Sequence, residues 1–224
     1  MKPNNLKAPQ SVPASLLNPG SDTMPDEELL TLFLSPARAS AKAEGVARTL
    51  LQEFGSIRAI VTAHPDDLTK INGIGQHRAR VLLSLKEVSC RYLQEQLKPG
   101  TSIQSPADSQ HYLKARLRDR PQEIFCAIFL DNRHRVLAFE ELFHGTIDAT
   151  TVYPREILRR ALHRNAAAVI LAHNHPSGVA EPSASDQSIT RRVRDALELI
   201  DVRLLDHFIV GDGVCVSMAA RGMF

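Results

Sequence analysis

The sequence predicts an α/β protein in which a layered mixed sheet follows a small all-α domain. Three observations carry this. Residues 166–172, Ala-Ala-Ala-Val-Ile-Leu-Ala, form a short, continuously apolar run, the pattern of a strand buried on both faces. The run at residues 124–130 has the same character, and residues 202–210 form another apolar run, interrupted by Arg203, Asp206 and His207. Before residue 98, apolar residues recur instead at helical spacing. A chain of 224 residues with 43% hydrophobic content can hold one sizeable core and a smaller second one, so two domains are expected.

Residues 1–25 are rich in Pro, Asn and Ser and poor in large apolar groups, so they are read as a flexible tail that cannot offset the entropy of ordering. The helical domain is placed at residues 26–98. Leu29, Leu30, Phe33 and Leu34 recur at helical spacing, and Ala39 to Phe54 repeats the pattern until Gly55 ends it. Leu68, Ile71, Gly73, Ile74, Gly75, Ala79 and Leu82 then fit a helix-hairpin-helix pattern. Gly73 and Gly75 permit a tight turn and close approach of backbone amides to a phosphate, with the following helix N-terminus adding partial positive charge.

Gly73, Gly75, His77, Arg78 and Arg80 are accordingly the candidate DNA contacts, and Glu87 is the only acid between Lys70 and Arg91. Such contacts position without reading bases. The competing reading is a junction used for packing or protein contact, and the net charge of only +2 is far from that of a dedicated nucleic-acid binder.

Lys98, Pro99, Gly100 and Thr101 break the helix and serve as linker, and the second domain occupies residues 102–224. Strands are expected at Glu123 to Leu130 and at Val136 to Phe139, joined through Asp131, Asn132 and Arg133. A helix follows from Pro154 to about Arg164, with Pro154 and Asn165 at positions that suit its two ends. The run 166–172, a second helix and two final strands complete the layers.

The chemistry is concentrated where that run ends. His173 and His175 lie two apart, and side chains at that spacing on a strand share a face, so both imidazoles can reach one metal. Pro176, Ser177 and Gly178 turn the chain, and a helix opening near Ser183 to Asp186 brings Asp186 back as a possible third ligand. Two imidazoles and one carboxylate leave the fourth position of a single Zn2+ per chain open for water, which separates hydrolytic sites from closed structural ones. A separate carboxylate is then needed to move the proton. Ser183 and Asp186 also have the spacing of a helix capping box.

Here the sequence resembles the JAMM (MPN+) metalloproteases, whose motif is a distant Glu, then His-x-His, seven residues, Ser, two residues, Asp. His173, His175, Ser183 and Asp186 match it, and His173 to Gly178, His-Asn-His-Pro-Ser-Gly, is similar to the bacterial RadC branch, historically labelled a DNA repair family. The resemblance spans about residues 26–224. It implies an MPN/JAMM-type (cytidine-deaminase-like) fold, metal ligands at His173, His175 and Asp186, and a Ser183 hydroxyl that helps hold the substrate oxyanion. It also implies a general base at the start of an early strand, which matches Glu123. Glu140 and Glu141, after the second apolar run, are the rivals for that role. The position before Pro154, often histidine in the family, is Tyr153 here, and no proposed ligand is lost.

Asp206 and His207 are adjacent on a strand and face opposite ways, so they cannot converge on one ion and are assigned a structural role. The remaining histidines lack ligand spacing. Three cysteines, Cys90, Cys126 and Cys215, argue against a disulfide framework. No apolar stretch approaches the roughly 20 residues of a membrane span, and the N-terminus has no secretion-signal pattern, so a cytoplasmic location without membrane contact is expected. The functional expectation is a zinc-dependent hydrolase of JAMM type acting on a protein or peptide substrate, with nonspecific DNA binding by the helical domain. One alternative is a DNA-binding repair or recombination accessory protein with a structural zinc site. A second is a nuclease, although those sites favour hard carboxylates holding Mg or Mn.

Overall fold

The computed structural model of the protein describes residues 24–35, 40–95, 98–103, 105–145 and 152–224. The expected tail lies outside them up to residue 23. Two compact units divide between Val88 and Ser89.

In the first unit, α1 (Asp26–Leu34), α2 (Ala41–Phe54), α3 (Ile57–Thr62), α4 (Pro65–Thr69) and the start of α5 (Gln76–Gln94) follow the helical periodicity. Ser40 caps α2 by accepting the Ala43 amide at 3.2 Å, and Gly55 closes it with φ +79°. The expected start of this helix at Ala39 lies outside the described residues. Leu30, Leu34, Val46, Leu50, Ile60, Leu68 and Leu82 form a single buried cluster. Between α4 and α5 the two glycines differ. Gly73 has φ +96°, and a Cβ there would lie 2.7 Å from Val46 Cγ2, so conformation and packing both demand glycine. Gly75 has no left-handed φ, and open space surrounds it.

The division falls inside α5, upstream of the expected linker at residues 98–101. The last turns of α5 belong to the second unit because Cys90 donates its thiol hydrogen to the Ala115 carbonyl (3.4 Å) and Leu93 packs on that unit's core. The linker residues are themselves paired. Gly100 donates to the Val136 carbonyl and Thr101 accepts from the Val136 amide, each at 2.8 Å.

The second unit is built on a five-stranded mixed sheet of order β2-β1-β3-β4-β5. Its strands are β1 (Ile124–Leu130), β2 (Val136–His144), β3 (Ala168–Asn174), β4 (Arg203–Val210) and β5 (Cys215–Ser217). β3 and β4 are parallel and every other pair is antiparallel. α7 (Pro154–His163) and α8 (Ala184–Glu198) cover one face through Ile157, Ala161, Val193 and Leu197. α6 (Pro106–Leu117) covers the other through Tyr112, Leu113 and Leu117. Strand alternation explains the split: Phe125, Ala127 and Phe129 face the first pair of helices, while Cys126, Ile128 and Leu130 face α6.

Two elements depart from expectation. α6 was not anticipated, although Pro106 stands at its first turn and the Asp108 carboxylate accepts the Ser105 amide at 2.9 Å. β2 runs on to His144 rather than stopping at Phe139, because Glu140 and Glu141 are neutralised by arginines and need not leave the sheet. Among the described residues, no helix is long and apolar enough to cross a membrane.

Candidate metal centre

β3 ends at Asn174, between the two histidines. Because β4 runs parallel to β3, their C-terminal ends coincide, which is where open α/β sheets leave a crevice. Antiparallel β1 brings its N-terminal end to the same place. Phe125 pairs with His173, so Glu123, two residues earlier, lies at that end and on that face. The turn after His175 is held down by the His175 amide on the Val210 carbonyl (2.9 Å) and the Asp212 amide on the Gly178 carbonyl (2.7 Å). Gly211 must be glycine there, since a Cβ would sit 2.7 Å from the Ala180 nitrogen.

The three expected ligands converge. Nε2 of His173 lies 3.0 Å from Nε2 of His175 and 3.1 Å from Asp186 Oδ1, and His175 Nε2 is 3.5 Å from Asp186 Oδ2. All three donor atoms fall within 4.8 Å of one another. His175 Nδ1 is 2.8 Å from the Val179 carbonyl, which can only accept, so the proton sits on Nδ1 and the neutral ring turns its Nε2 lone pair to the cluster. Two such nitrogens and a carboxylate oxygen match the donor set of a zinc-type divalent site. Burial pushes the Asp186 carboxyl up, but the adjoining His173 and His175 imidazoles and the Ser183 hydrogen bond outweigh it and hold the group far below its ordinary range. The Asp186 hydrogen bond raises His175 above its ordinary value.

Ser183 is the N-cap of α8. Its Oγ accepts the Asp186 amide at 3.1 Å and donates its one hydrogen to Asp186 Oδ2 at 2.6 Å, and its backbone N–H reaches the same oxygen at 2.7 Å. In this arrangement Ser183 orients Asp186. An oxyanion role requires that hydrogen to turn towards substrate. Leu197 and Val193 bury α8 against the sheet and so fix the helix that carries Asp186; Leu197→Ala would cost about 2–5 kcal/mol.

A cavity of about 380 Å³ opens beside the cluster, lined by Glu123, His175, Ser183, Asp186 and Arg192 among others. The rival carboxylates are engaged elsewhere. Glu140 bonds Arg160 (2.9 Å) and Arg164 (2.7 Å), while Glu141 bonds Arg116 (3.2 Å) and Arg120 (3.1 Å). As neighbours in β2 they point to opposite faces of the sheet.

Four polar residues matter here that the spacing of the expected ligands did not single out. Asn174, between the two histidines, accepts the Ile124 amide at 2.8 Å and donates to the Gln122 carbonyl at 3.0 Å, clamping the residues on either side of Glu123. His207 lies outside the expected ligand set but contacts a member of it: its Nε2 is 2.9 Å from His173 Nδ1, and its Nδ1 is 2.6 Å from Thr190 Oγ1. Asp206 faces away and ties down the C-terminal segment through Ser217 Oγ (2.6 Å) and the Ala219 amide (3.0 Å). Thr190, four residues after Asp186 and therefore on its helix face, was legible in principle.

The expected DNA contacts fall in the first unit. His77 and Arg80 are exposed at the start of α5, whereas Arg78 donates to the Gly73 carbonyl at 2.7 Å and is engaged within the turn.

Residues 103–223 match the model of the RadC-like JAB domain. The chain belongs to the RadC family. Residues 14–80 match the UPF0758 N-terminal family. A UPF0758 protein of Tolumonas auensis is 54% identical over 207 residues, covering 92% of each chain. One from Stutzerimonas stutzeri is 53% identical with the same coverage, and one from Thioalkalivibrio sulfidiphilus is 52% identical over 93% of each chain. The fold is thus the JAB/MPN type anticipated from the motif, with a helical region before it. The JAB match contains Glu123, His173, His175, Ser183 and Asp186, together with Thr190 and His207.

Proposed function

We propose that this RadC-family protein is a zinc-dependent hydrolase of JAMM type that cleaves an amide bond in a protein or peptide. One observation carries the reading: two imidazole Nε2 atoms and one carboxylate converge at the wall of a cavity that also holds a second carboxylate, Glu123. His173, His175 and Asp186 would hold the metal, which when bound supplies Lewis acidity for the carbonyl and lowers the pKa of water. Glu123 takes the proton from the attacking water and delivers it to the leaving nitrogen. Asn174 holds the backbone around Glu123, and Ser183 holds Asp186 or, with its hydroxyl turned, the oxyanion. Nuclease chemistry is less well served, since the donor set is imidazole-rich rather than a pair of hard carboxylates.

The test is the metal content of purified parent, Asp186→Ala and Glu123→Gln proteins by elemental mass spectrometry. About one zinc per chain in the parent and in Glu123→Gln, with none in Asp186→Ala, is expected. A parent that takes up no zinc even after reconstitution sinks the hydrolase.

A second reading concerns the first unit. Open space at Gly75, with exposed His77 and Arg80 at the N-terminus of α5, favours nonspecific contact with DNA phosphates in the manner of a helix-hairpin-helix. Loss of binding to a random duplex as salt rises is the expected signature.

A further inference from the structure

The second unit buries a chain of hydrogen bonds that starts at one proposed ligand and ends at another. His173 Nδ1 meets His207 Nε2 at 2.9 Å, His207 Nδ1 meets Thr190 Oγ1 at 2.6 Å, and Thr190 Oγ1 meets the Asp186 carbonyl at 2.5 Å. His173, His207 and Thr190 are each 1% exposed or less, so water does not satisfy or reorganise them. The last group in the chain is a carbonyl, which only accepts, and that fixes the polarity of the rest. Thr190 donates its single hydrogen to the Asp186 carbonyl and therefore accepts from His207, whose Nδ1 carries the proton. A neutral His207 then has its lone pair on Nε2 and accepts from His173 Nδ1–H. The ring of His173 is left with its own lone pair on Nε2, aimed at His175 and Asp186. Phe125 stacks against His173 at 5.9 Å between ring centroids and restricts ring rotation.

We propose that His207 and Thr190 are positioning residues for the metal centre: a buried relay, anchored on the Asp186 carbonyl, that holds His173 as the tautomer able to bind the ion. The proposal rests on the metal reading above. It extends that reading to two residues that touch neither ion nor substrate. A carboxylate or backbone carbonyl commonly orients a metal-bound histidine, and loss of such a partner typically weakens metal binding about 10–100-fold. Here the partner is a second histidine, which has two tautomers of its own, so Thr190 is required to choose between them. The relay also ties β3, β4 and α8 together at the metal, because each strand or helix contributes one member.

The experiment is zinc(II) titration of the full-length protein against a chelator of known affinity, with Thr190→Val, Thr190→Ser, His207→Leu and His207→Gln beside the parent. Valine is nearly isosteric with threonine and removes both the donor and the acceptor, while serine keeps them. Glutamine offers an acceptor near the Nε2 position, while leucine offers none. Thr190→Val and His207→Leu are expected to raise the zinc Kd about 10–100-fold, with Thr190→Ser and His207→Gln recovering most of the loss. Circular dichroism of the metal-free proteins checks folding, and Thr190→Val carries the test if His207→Leu does not fold. Long-range 1H–15N NMR of the metal-free parent reads the tautomer directly, and His207 protonated on Nδ1 is expected. A His207 protonated on Nε2, or Thr190→Val and His207→Leu proteins that bind zinc as the parent does, overturns the relay while leaving the hydrolase intact. A parent that binds no zinc overturns both.

Discussion

The candidate metal centre and the Gly73–Gly75 turn are both places where the sequence concentrates polar groups, yet they use them differently. At the centre, each polar side chain is aimed by another: Ser183 orients Asp186, the Val179 carbonyl orients His175, His207 contacts His173, and Asn174 fixes the residues around Glu123. At the turn, Arg78 bonds the turn itself, Lys70 pairs with Asp67 at 2.7 Å, and His77 and Arg80 stand exposed. Preorganised donors suit chemistry at a fixed point, whereas exposed cations suit a loose electrostatic contact. Motif residues with equal standing in sequence thus have unequal claims to function once their partners are known.

The largest effect should separate the three glutamates. Glu123→Gln is expected to lower peptide hydrolysis by the zinc-loaded protein about 10²–10⁴-fold, while Glu140→Gln and Glu141→Gln leave the rate nearly unchanged. Steady-state kinetics decides this, and an equal loss in Glu141→Gln would move the base to β2. Next, Gly73→Ala should destabilise the first unit by about 1–3 kcal/mol, from left-handed strain and overpacking against Val46. Gly75→Ala should change stability by less than about 0.5 kcal/mol. Chemical denaturation of the two variants tests whether the glycines are distinct.

The pH response offers a smaller contrast. In metal-free protein the raised pKa of His175 makes its pairing with Asp186 stabilising below the ordinary histidine value of about 6.5, and that contribution fades as pH rises through the raised folded value. Zinc requires the neutral ring, so its stabilisation runs the other way. The gain in Tm on adding zinc should therefore grow from about pH 6 to about pH 8, and a flat gain in differential scanning fluorimetry would remove His175 from the ligand set. The smallest effect belongs to the turn. Arg80→Ala should reduce the salt slope of DNA binding by about 1 without lowering Tm, whereas Arg78→Ala should lower Tm because it strips the Gly73 carbonyl of its donor.

Much of the fold was legible because its signals are local. The apolar runs gave β1, β3 and β4, helical periodicity gave α1 and α2, and Pro154 and Asn165 marked α7. The site was legible to the extent that it follows from spacing: His173 and His175 by strand alternation, Asp186 by the return of a capped helix. What failed had nonlocal causes. The end of β2 was misplaced because the arginines that neutralise Glu140 and Glu141 come from residues 116–120 and 160–164. The division of the chain falls within α5 because Cys90 and Leu93 find partners beyond the linker. For His207 the sequence supports only a structural role and not its link to the site, since its partners His173 and Thr190 lie 34 and 17 positions away.

The layered α/β class, the helical region before it, and a His-x-His with a distant aspartate are written locally in the chain, because strand alternation, helix periodicity and capping act over a few residues. Long-range packing places Glu123 rather than Glu140 or Glu141 in the cavity wall, engages Arg78 with its own turn, and sets His207 against a metal-ligand candidate. Those outcomes depend on sheet register and on the parallel crossover from β3 to β4, which bring together side chains that no local interaction relates.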